Sequence, residues 1–207
     1  MKDTTTQAAT LADRVATFLF RPGDAAYLAY FRIAFSGAMM WFAFAHLFSG
    51  KVTWKYIDPV NHWHYFGFEW VQPWPGIGMY LHFALMGIAA AFMLVGLYYR
   101  LAATTFALLM SYVFLLDRAY YLNHHYLMVL LGWMMVILPA NRILSFDRLH
   151  REQQHPQPDD ESAITTVPAW TLWLVRFHIG IPYFFGGIAK LDGDWLNLQP
   201  MRLTLST

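Results

Sequence analysis

The sequence predicts an all-α fold, a polytopic transmembrane helix bundle of about five spans preceded by a short N-terminal interfacial helix. Three observations carry this. Apolar residues fill 57% of the 207 positions and charged residues only 13%, against roughly 45–50% and about 25% in soluble domains. The apolar residues fall in long runs rather than in alternation, with Gly and Pro inside them, which fits helices and not a membrane barrel. The net charge is +1 with 14 Lys and Arg, too sparse for a nucleic-acid binder, whose affinity rests on dense cationic contacts to phosphate. The same composition excludes a disordered tail and a coiled coil. Cysteine is absent, so disulfides, thiolate nucleophiles and Cys-ligated metals are excluded, and any base must be another group.

Ahead of the first run, Leu11 to Phe20 reads as an amphipathic helix on the membrane surface. Residues 1–24 are thus an N-terminal cytoplasmic or interfacial segment, and residues 25–207 the membrane domain. No short apolar core with a small-residue cleavage site precedes the first run, so a removable signal peptide is not expected. Crossing roughly 30 Å of hydrocarbon takes about 20 apolar residues. The first candidate is Ala25 to Phe48, with Arg32 inside it, and the second is Ile77 to Tyr99, with His82. The third is Leu101 to about Tyr121, closing with Asp117 and Arg118. The fourth, His124 to Leu138, is short and would rise only about 22 Å. The fifth, Trp170 to about Ile188, carries Arg176 and His178. Between the last two, Arg148 to Pro168 contains REQQHPQPDDES, the one linker-like stretch.

Alternating the spans puts Lys2, Arg14, Arg21, Arg100, Arg142, Arg148 and Arg151 on one side and Lys51, Lys55, Arg118, Lys190 and Arg202 on the other. The positive-inside rule then makes the amino terminus cytoplasmic. The Tyr121 to His125 segment, the Lys190 segment and the loop WKYIDPVNHWHYFGFEWVQPWPG share the outer face. The loop's Trp and Tyr density suits an interfacial belt or a roof over an apolar cavity.

Ionisable groups within spans cost about 2.5 kcal/mol or more. Arg32, Asp117, Arg118 and Arg176 therefore need partners, whether by snorkelling, by pairing inside the bundle or by lining a site. His82 and His178 read as satisfied core histidines. The sharpest cluster is Asn123, His124, His125 and Tyr126. At a helix start the free N–H groups and dipole hold an anion, and imidazole donates or accepts a proton near neutrality. The alternative is that Asn123 merely caps the helix, beside two interfacial histidines. A second cluster is GGIAKLDGDW, Gly186 to Trp195. Its glycines allow close backbone approach, and its single lysine either snorkels or is a base. Apolar burial lowers a lysine from its ordinary value near 10.4, whereas Asp192 and Asp194 would oppose that.

The chain resembles the vitamin K-dependent gamma-carboxylase family and its bacterial relatives in the HTTM (horizontally transferred transmembrane) group. The resemblance runs from about Phe20 to Met201. It is carried by FLFRPGDAAYLAYFRIAF around Arg32, FGFEWVQPWPGIGMY from Phe66, GLYYRLAATTF around Arg100, YVFLLDRAYYLNHHYL from Tyr112 and FFGGIAKLDGDW from Phe184. It implies a catalytic lysine at Lys190, an active-site histidine at His124 and a quinone-binding asparagine at Asn123, with His125 and Tyr126 beside them. It further implies reduced vitamin K or menaquinone as cosubstrate with dioxygen and carbon dioxide, and no metal. Lys190 would deprotonate the naphthohydroquinone, whose oxygenation ends in the epoxide and generates the base that takes a proton from the gamma carbon of a protein glutamate. The carbanion would then capture carbon dioxide. Membrane lipids, a lipid quinone and a glutamate-containing protein are the implied partners, and nucleic acid is not.

Three positions depart from the family pattern. Ala189 stands where a second lysine precedes the catalytic one, Leu122 where asparagine is found, and His125 where serine is found. The family's later spans and extramembrane domain would follow Thr207, so the domain is expected to be truncated there. Two rival readings stand beside the carboxylase. One is a di-iron lipid oxygenase using His62 with His64 and His124 with His125, though no HxxxH or HxxHH box is present. The other is a non-catalytic quinone-binding or transport protein.

Overall fold

The computed structural model describes residues 10–154, 165–191 and 193–196. The chain forms two compact units, Pro22–Val167 and Met1–Arg21 together with Pro168–Thr207.

The larger unit begins with β1 (Pro22–Asp24), which pairs with β2 (Thr166–Pro168) in a two-stranded sheet. The Asp24 carboxylate then accepts the amide of Ala26 at 2.8 Å and starts α2 (Ala26–Phe48). A π-helical turn (Thr53–Ile57) follows, then α3 (Gly78–Val95), α4 (Tyr99–Leu116), a 3-10 turn (Arg118–Tyr120), α5 (Asn123–Ile137) and α6 (Phe146–Gln154). α2 packs on α3, α3 on α4, and α4 on α5. Each buries one stripe at helical spacing. On α2 it is Leu28, Ala29, Arg32, Phe35, Ser36, Met39, Ala43 and His46. On α3 it includes Met79, His82, Phe83, Met86, Ala90 and Met93.

Lipid is as apolar as leucine, so close packing rather than water exclusion must hold such helices together. Small residues serve that end. A Cβ at Gly87 would come within 2.9 Å of the Phe44 ring, so α2 and α3 approach closely only because that position is glycine. Gly96, at φ 69°, ends α3 in the left-handed region that glycine enters at little cost.

Among the described residues, α2, α3 and α4 are long and apolar enough to cross a membrane. The fourth and fifth expected runs are helical too, but α5 has only 15 residues. The fifth run carries Arg176, His178 and Pro182 within its 19 residues. The third run ends at Leu116, short of Tyr121, because the Asp117 carboxylate turns back to accept the Ala119 amide at 2.8 Å and opens the 3-10 turn.

The expected linker is ordered at both ends. Arg148 to Gln154 belongs to α6, where Arg148 pairs with Glu152 at 2.5 Å. Thr166 to Pro168 is β2, and residues 155–164 lie outside the described residues.

One end of this unit is a closed polar network. Arg32 is fully buried and donates to the carbonyls of Ala140 at 2.7 Å, Ile143 at 3.5 Å and Leu144. It pairs inside the bundle rather than snorkelling. Asp147 caps α4 from a distance, accepting the amides of Tyr98 at 2.8 Å and Tyr99 at 3.0 Å and the side chain of Asn141 at 2.9 Å. His82 donates from Nε2 to the Leu109 carbonyl at 3.0 Å, as a satisfied core histidine does.

The second unit holds α1 (Leu11–Phe20), α7 (Trp170–Ile188) and the short α8 (Gly193–Leu196). α1 occupies the span expected of the interfacial helix. Thr10 and Asp13 close a reciprocal cap, with the Thr10 amide on Asp13 at 2.9 Å and the Asp13 amide on Thr10 at 3.2 Å. Phe18 packs on Trp173 at 5.5 Å between ring centres. His178 bonds the Leu174 carbonyl at 2.9 Å within α7.

Candidate functional site

The opposite end of the larger unit gathers the close of α2, the π-helical turn and the start of α5. α5 opens at Asn123 after an extended Leu122 that offers no side-chain cap. Asn123 is therefore the first helical residue and not the cap, and it stays exposed together with His124. The His124 and His125 rings meet edge to face at 4.6 Å. His125 reaches inward, lying 5.6 Å from the Phe42 ring and hydrogen-bonding to the Tyr120 backbone.

Beneath it sits His46, buried one turn from the end of α2. Its Nδ1 is 2.9 Å from the Phe42 carbonyl oxygen, and its ring lies between Phe42 at 4.2 Å and Phe83 at 5.6 Å. Lys55 completes the group from the π-helical turn, with its ammonium 5.3 Å from the Trp54 ring centre and 5.2 Å from that of Tyr120. His124, Lys55 and His46 all act electrostatically on His125.

These groups would share one sign when protonated. Among the described residues the salt bridges are His62–Asp117 and Arg148–Glu152, so Lys55 has no carboxylate partner there. Burial, and then the neighbouring Lys51, push the Lys55 amine below the ordinary lysine value. Tyr56 is buried beside Phe83 at 5.6 Å and Tyr120 at 6.4 Å. Burial first, then Tyr120 and Asp117, raise its phenol well above the usual range, so it stays a neutral donor. Two imidazole-bearing elements, a destabilised ammonium and flat aromatic walls can hold an oxyanion or a polarised ring oxygen and pass it a proton.

Asp117 and Arg118 find partners in the loop between α2 and α3. Asp117 is buried and accepts from the amides of Trp63 at 3.3 Å and Ala119 at 2.8 Å. It also lies 3.2 Å from His62 Nδ1. The Arg118 amide donates to the Trp63 carbonyl at 2.8 Å, and its guanidinium lies 5.9 Å from the Trp63 ring centre. Tyr126 packs on Phe114 at 5.8 Å.

Thus Asn123, His124, His125, Tyr126, Asp117 and Arg118 share this end, and Arg32 belongs to the closed network at the other. Arg176 and Lys190 are in the second unit. Arg176 lies 5.1 Å from the Trp173 ring centre, beside a cleft of about 600 Å³ lined by Trp170, Leu174 and Phe177. Lys190 is exposed, with its ammonium 5.3 Å from the Trp195 ring centre. Asp192, the Asp194 side chain and Arg202 lie outside the described residues. Sequence reasoning missed His46, Lys55, Tyr56, Tyr120 and the His62–Asp117 pair. The signal was WKY placed just after an apolar run ending in a histidine, which reads equally as an interfacial belt. Among the described residues no three His, Asp or Glu converge as a metal site would require.

The fold and this cluster define a polytopic helical membrane protein with an imidazole, lysine and aromatic site at one end of its bundle. The HTTM domain family model matches residues 20–207, and the chain belongs to that family. This is the transmembrane domain of the vitamin K-dependent carboxylase family. No solved structure matches the chain.

Proposed function

We propose that the chain is an integral membrane enzyme that couples epoxidation of a reduced naphthoquinone to carboxylation of protein glutamate. The observation that carries the reading is the Asn123–His125 opening of α5 set against His46 and Lys55 in a member of the HTTM family. The fit to a quinone rests on the side chains present. Trp54, Tyr120 and Phe42 offer flat apolar faces, while Asn123, His124 and His125 offer polar atoms for ring oxygens. A reduced naphthoquinone would supply reducing power toward dioxygen and, through it, a base strong enough to ionise an unactivated carbon.

In this reading Asn123 and Tyr126 hold the ring, and His124 and His125 orient it and exchange a proton at its oxygens. Lys190, the base that the family resemblance assigns, would remove the hydroxyl proton. The aromatic loop keeps water from a base it would otherwise quench. The amino terminus is cytoplasmic and the site opens toward the outer face.

A second reading, quinone binding or epoxidation without carboxylation, has one observation in its favour: Lys190 is exposed within its own unit. One assay separates the two. Protein in lipid is given chemically reduced menaquinone, oxygen, labelled bicarbonate and a glutamyl peptide, and epoxide and fixed label are both measured. Both products are expected, with Lys190→Ala abolishing them and His124→Ala lowering them on the order of a hundredfold or more. Epoxide without label supports the second reading, and neither product leaves binding alone.

A further inference from the structure

A second cleft lies beside the 3-10 turn that joins α4 to α5. Trp63, Tyr65, Arg118, Ala119 and Tyr121 line about 480 Å³ of open space there. The cleft lies just past the end of α4, one of the membrane-long helices, which places it at the depth of lipid headgroups.

Three features make it more than a groove between aromatic rings. First, the nearest carboxylate is already committed, because Asp117 spends its oxygens on His62 and the Trp63 and Ala119 amides. Arg118 therefore borders the cleft with no carboxylate partner among the described residues. Second, the Tyr65 hydroxyl is buried and has no hydrogen-bond partner. A buried polar atom left unpaired costs free energy that a ligand oxygen would recover. Third, Tyr65 and Tyr121 both pack on Phe114, at 5.6 Å and 5.8 Å, so the walls are held from behind. Burial, with Tyr121 and Asp117 next, raises the Tyr65 phenol, and Arg118 opposes this. The phenol is thus protonated and able to donate, within the electrostatic reach of the guanidinium.

A planar guanidinium beside a phenol donor matches the oxygens of a phosphodiester, and the surrounding rings match the glycerol and the first carbons of its chains. We propose that this cleft seats the headgroup of an anionic phospholipid, with Arg118 and Tyr65 on the phosphate and Trp63 and Tyr121 flanking the glycerol. The site does not depend on the redox reading above and uses none of the residues that hold the ring or move its protons there, although Trp63 and Tyr65 belong to the same aromatic loop.

The test uses the full chain in detergent, examined by native mass spectrometry while short-chain phosphatidylglycerol, phosphatidylcholine or sn-glycerol 3-phosphate is titrated in. Phosphatidylglycerol should bind at one per chain in preference to the other two. Arg118→Gln should weaken it about tenfold and Tyr65→Phe about threefold, as expected for a charged and a neutral hydrogen bond. Lys51→Gln, a cation outside the lining, and His124→Ala should leave it unchanged. Equal retention of phosphatidylcholine, or unaltered binding in both Arg118→Gln and Tyr65→Phe, overturns the proposal. Competition by glycerol phosphate at equal strength would reassign the cleft to a soluble phosphate. Thermal melts accompany each variant, and the conservative Tyr65→Phe keeps the outcome decisive should Arg118→Gln misfold.

Discussion

The two ends of the larger unit use the same kinds of residue to opposite effect. At the Arg32 end, three charged groups are tied to backbone. Arg32 donates to three carbonyls, Asp147 accepts two amides and a side-chain amide, and Arg142 reaches the Thr166 carbonyl at 2.7 Å. At the His125 end, the Lys55 ammonium lies over aromatic rings with no carboxylate partner among the described residues, and burial with the neighbouring basic groups disfavours a proton on His125. A buried charge held by several carbonyls stabilises one arrangement of the chain. An ammonium without a carboxylate partner raises the free energy of the empty site and lowers it when an anion arrives. The contrast separates scaffold from site more cleanly than burial does, since His46 is as buried as much of the core.

The largest effect should come from the scaffold. Arg32→Met keeps an unbranched apolar stem but removes the guanidinium and strands the carbonyls of Ala140 and Leu144. The expected loss is about 2–4 kcal/mol of unfolding free energy, at the level of buried, charge-assisted bonds. Unfolding in detergent by heat or denaturant checks this, and Arg32→Lys should recover part of it. If Arg32→Met unfolds like the parent, the backbone-tied end is not what holds the bundle, and the comparison breaks.

A middle-sized effect is expected where the ends differ most in sequence terms. Asp117→Ala removes the acceptor for two amides and the partner of His62, worth about 1–3 kcal/mol. Its signature is local. Hydrogen exchange at the Trp63 and Ala119 amides should accelerate, while the Tyr98 and Tyr99 amides under Asp147 stay protected. Uniform acceleration at both places would mean that the ends are a single cooperative element and the distinction is false.

Much of this was legible in advance, and the residues show why. The helices could be read because α2, α3 and α4 are fixed by continuous apolar runs, and Asn123, His124 and His125 stood out as polar residues opening a short helix. Arg32 was expected to need a partner, and it has one. Its acceptors, however, are carbonyls of a loop more than a hundred residues away, and backbone oxygens leave no trace in side-chain pattern. Lys55 and Tyr56 were hidden differently. Their significance depends on the π-helical turn setting Lys55 over Tyr120, a contact across 65 positions that periodicity does not encode. α6 was missed because the charged and polar sequence REQQHPQPDDES masks the helical spacing of Phe146 and Leu149 and the Arg148–Glu152 pair.

The smallest effect tests the site end through its charge. Lys55 holds its proton less tightly in the fold than a free lysine does, first because it is partly buried and then because of Lys51. At neutral pH the amine is protonated in both states, so the fold bears the whole penalty. As pH rises past the folded value toward about 10.4, the unfolded chain binds the extra proton and unfolding free energy grows. Lys55→Met removes that dependence. The stability of Lys55→Met relative to the parent should therefore be highest near pH 7 and decline steadily toward pH 10, by well under 1 kcal/mol given solvent screening. The lost contacts to Trp54 and Tyr120 shift the whole difference down without changing its slope. A matched series of melts at four or five pH values reads the slope directly. A difference that rises with pH instead would mean that the lysine is stabilised as a cation in the empty protein, and an unpaired, destabilised amine would no longer distinguish this end from the other.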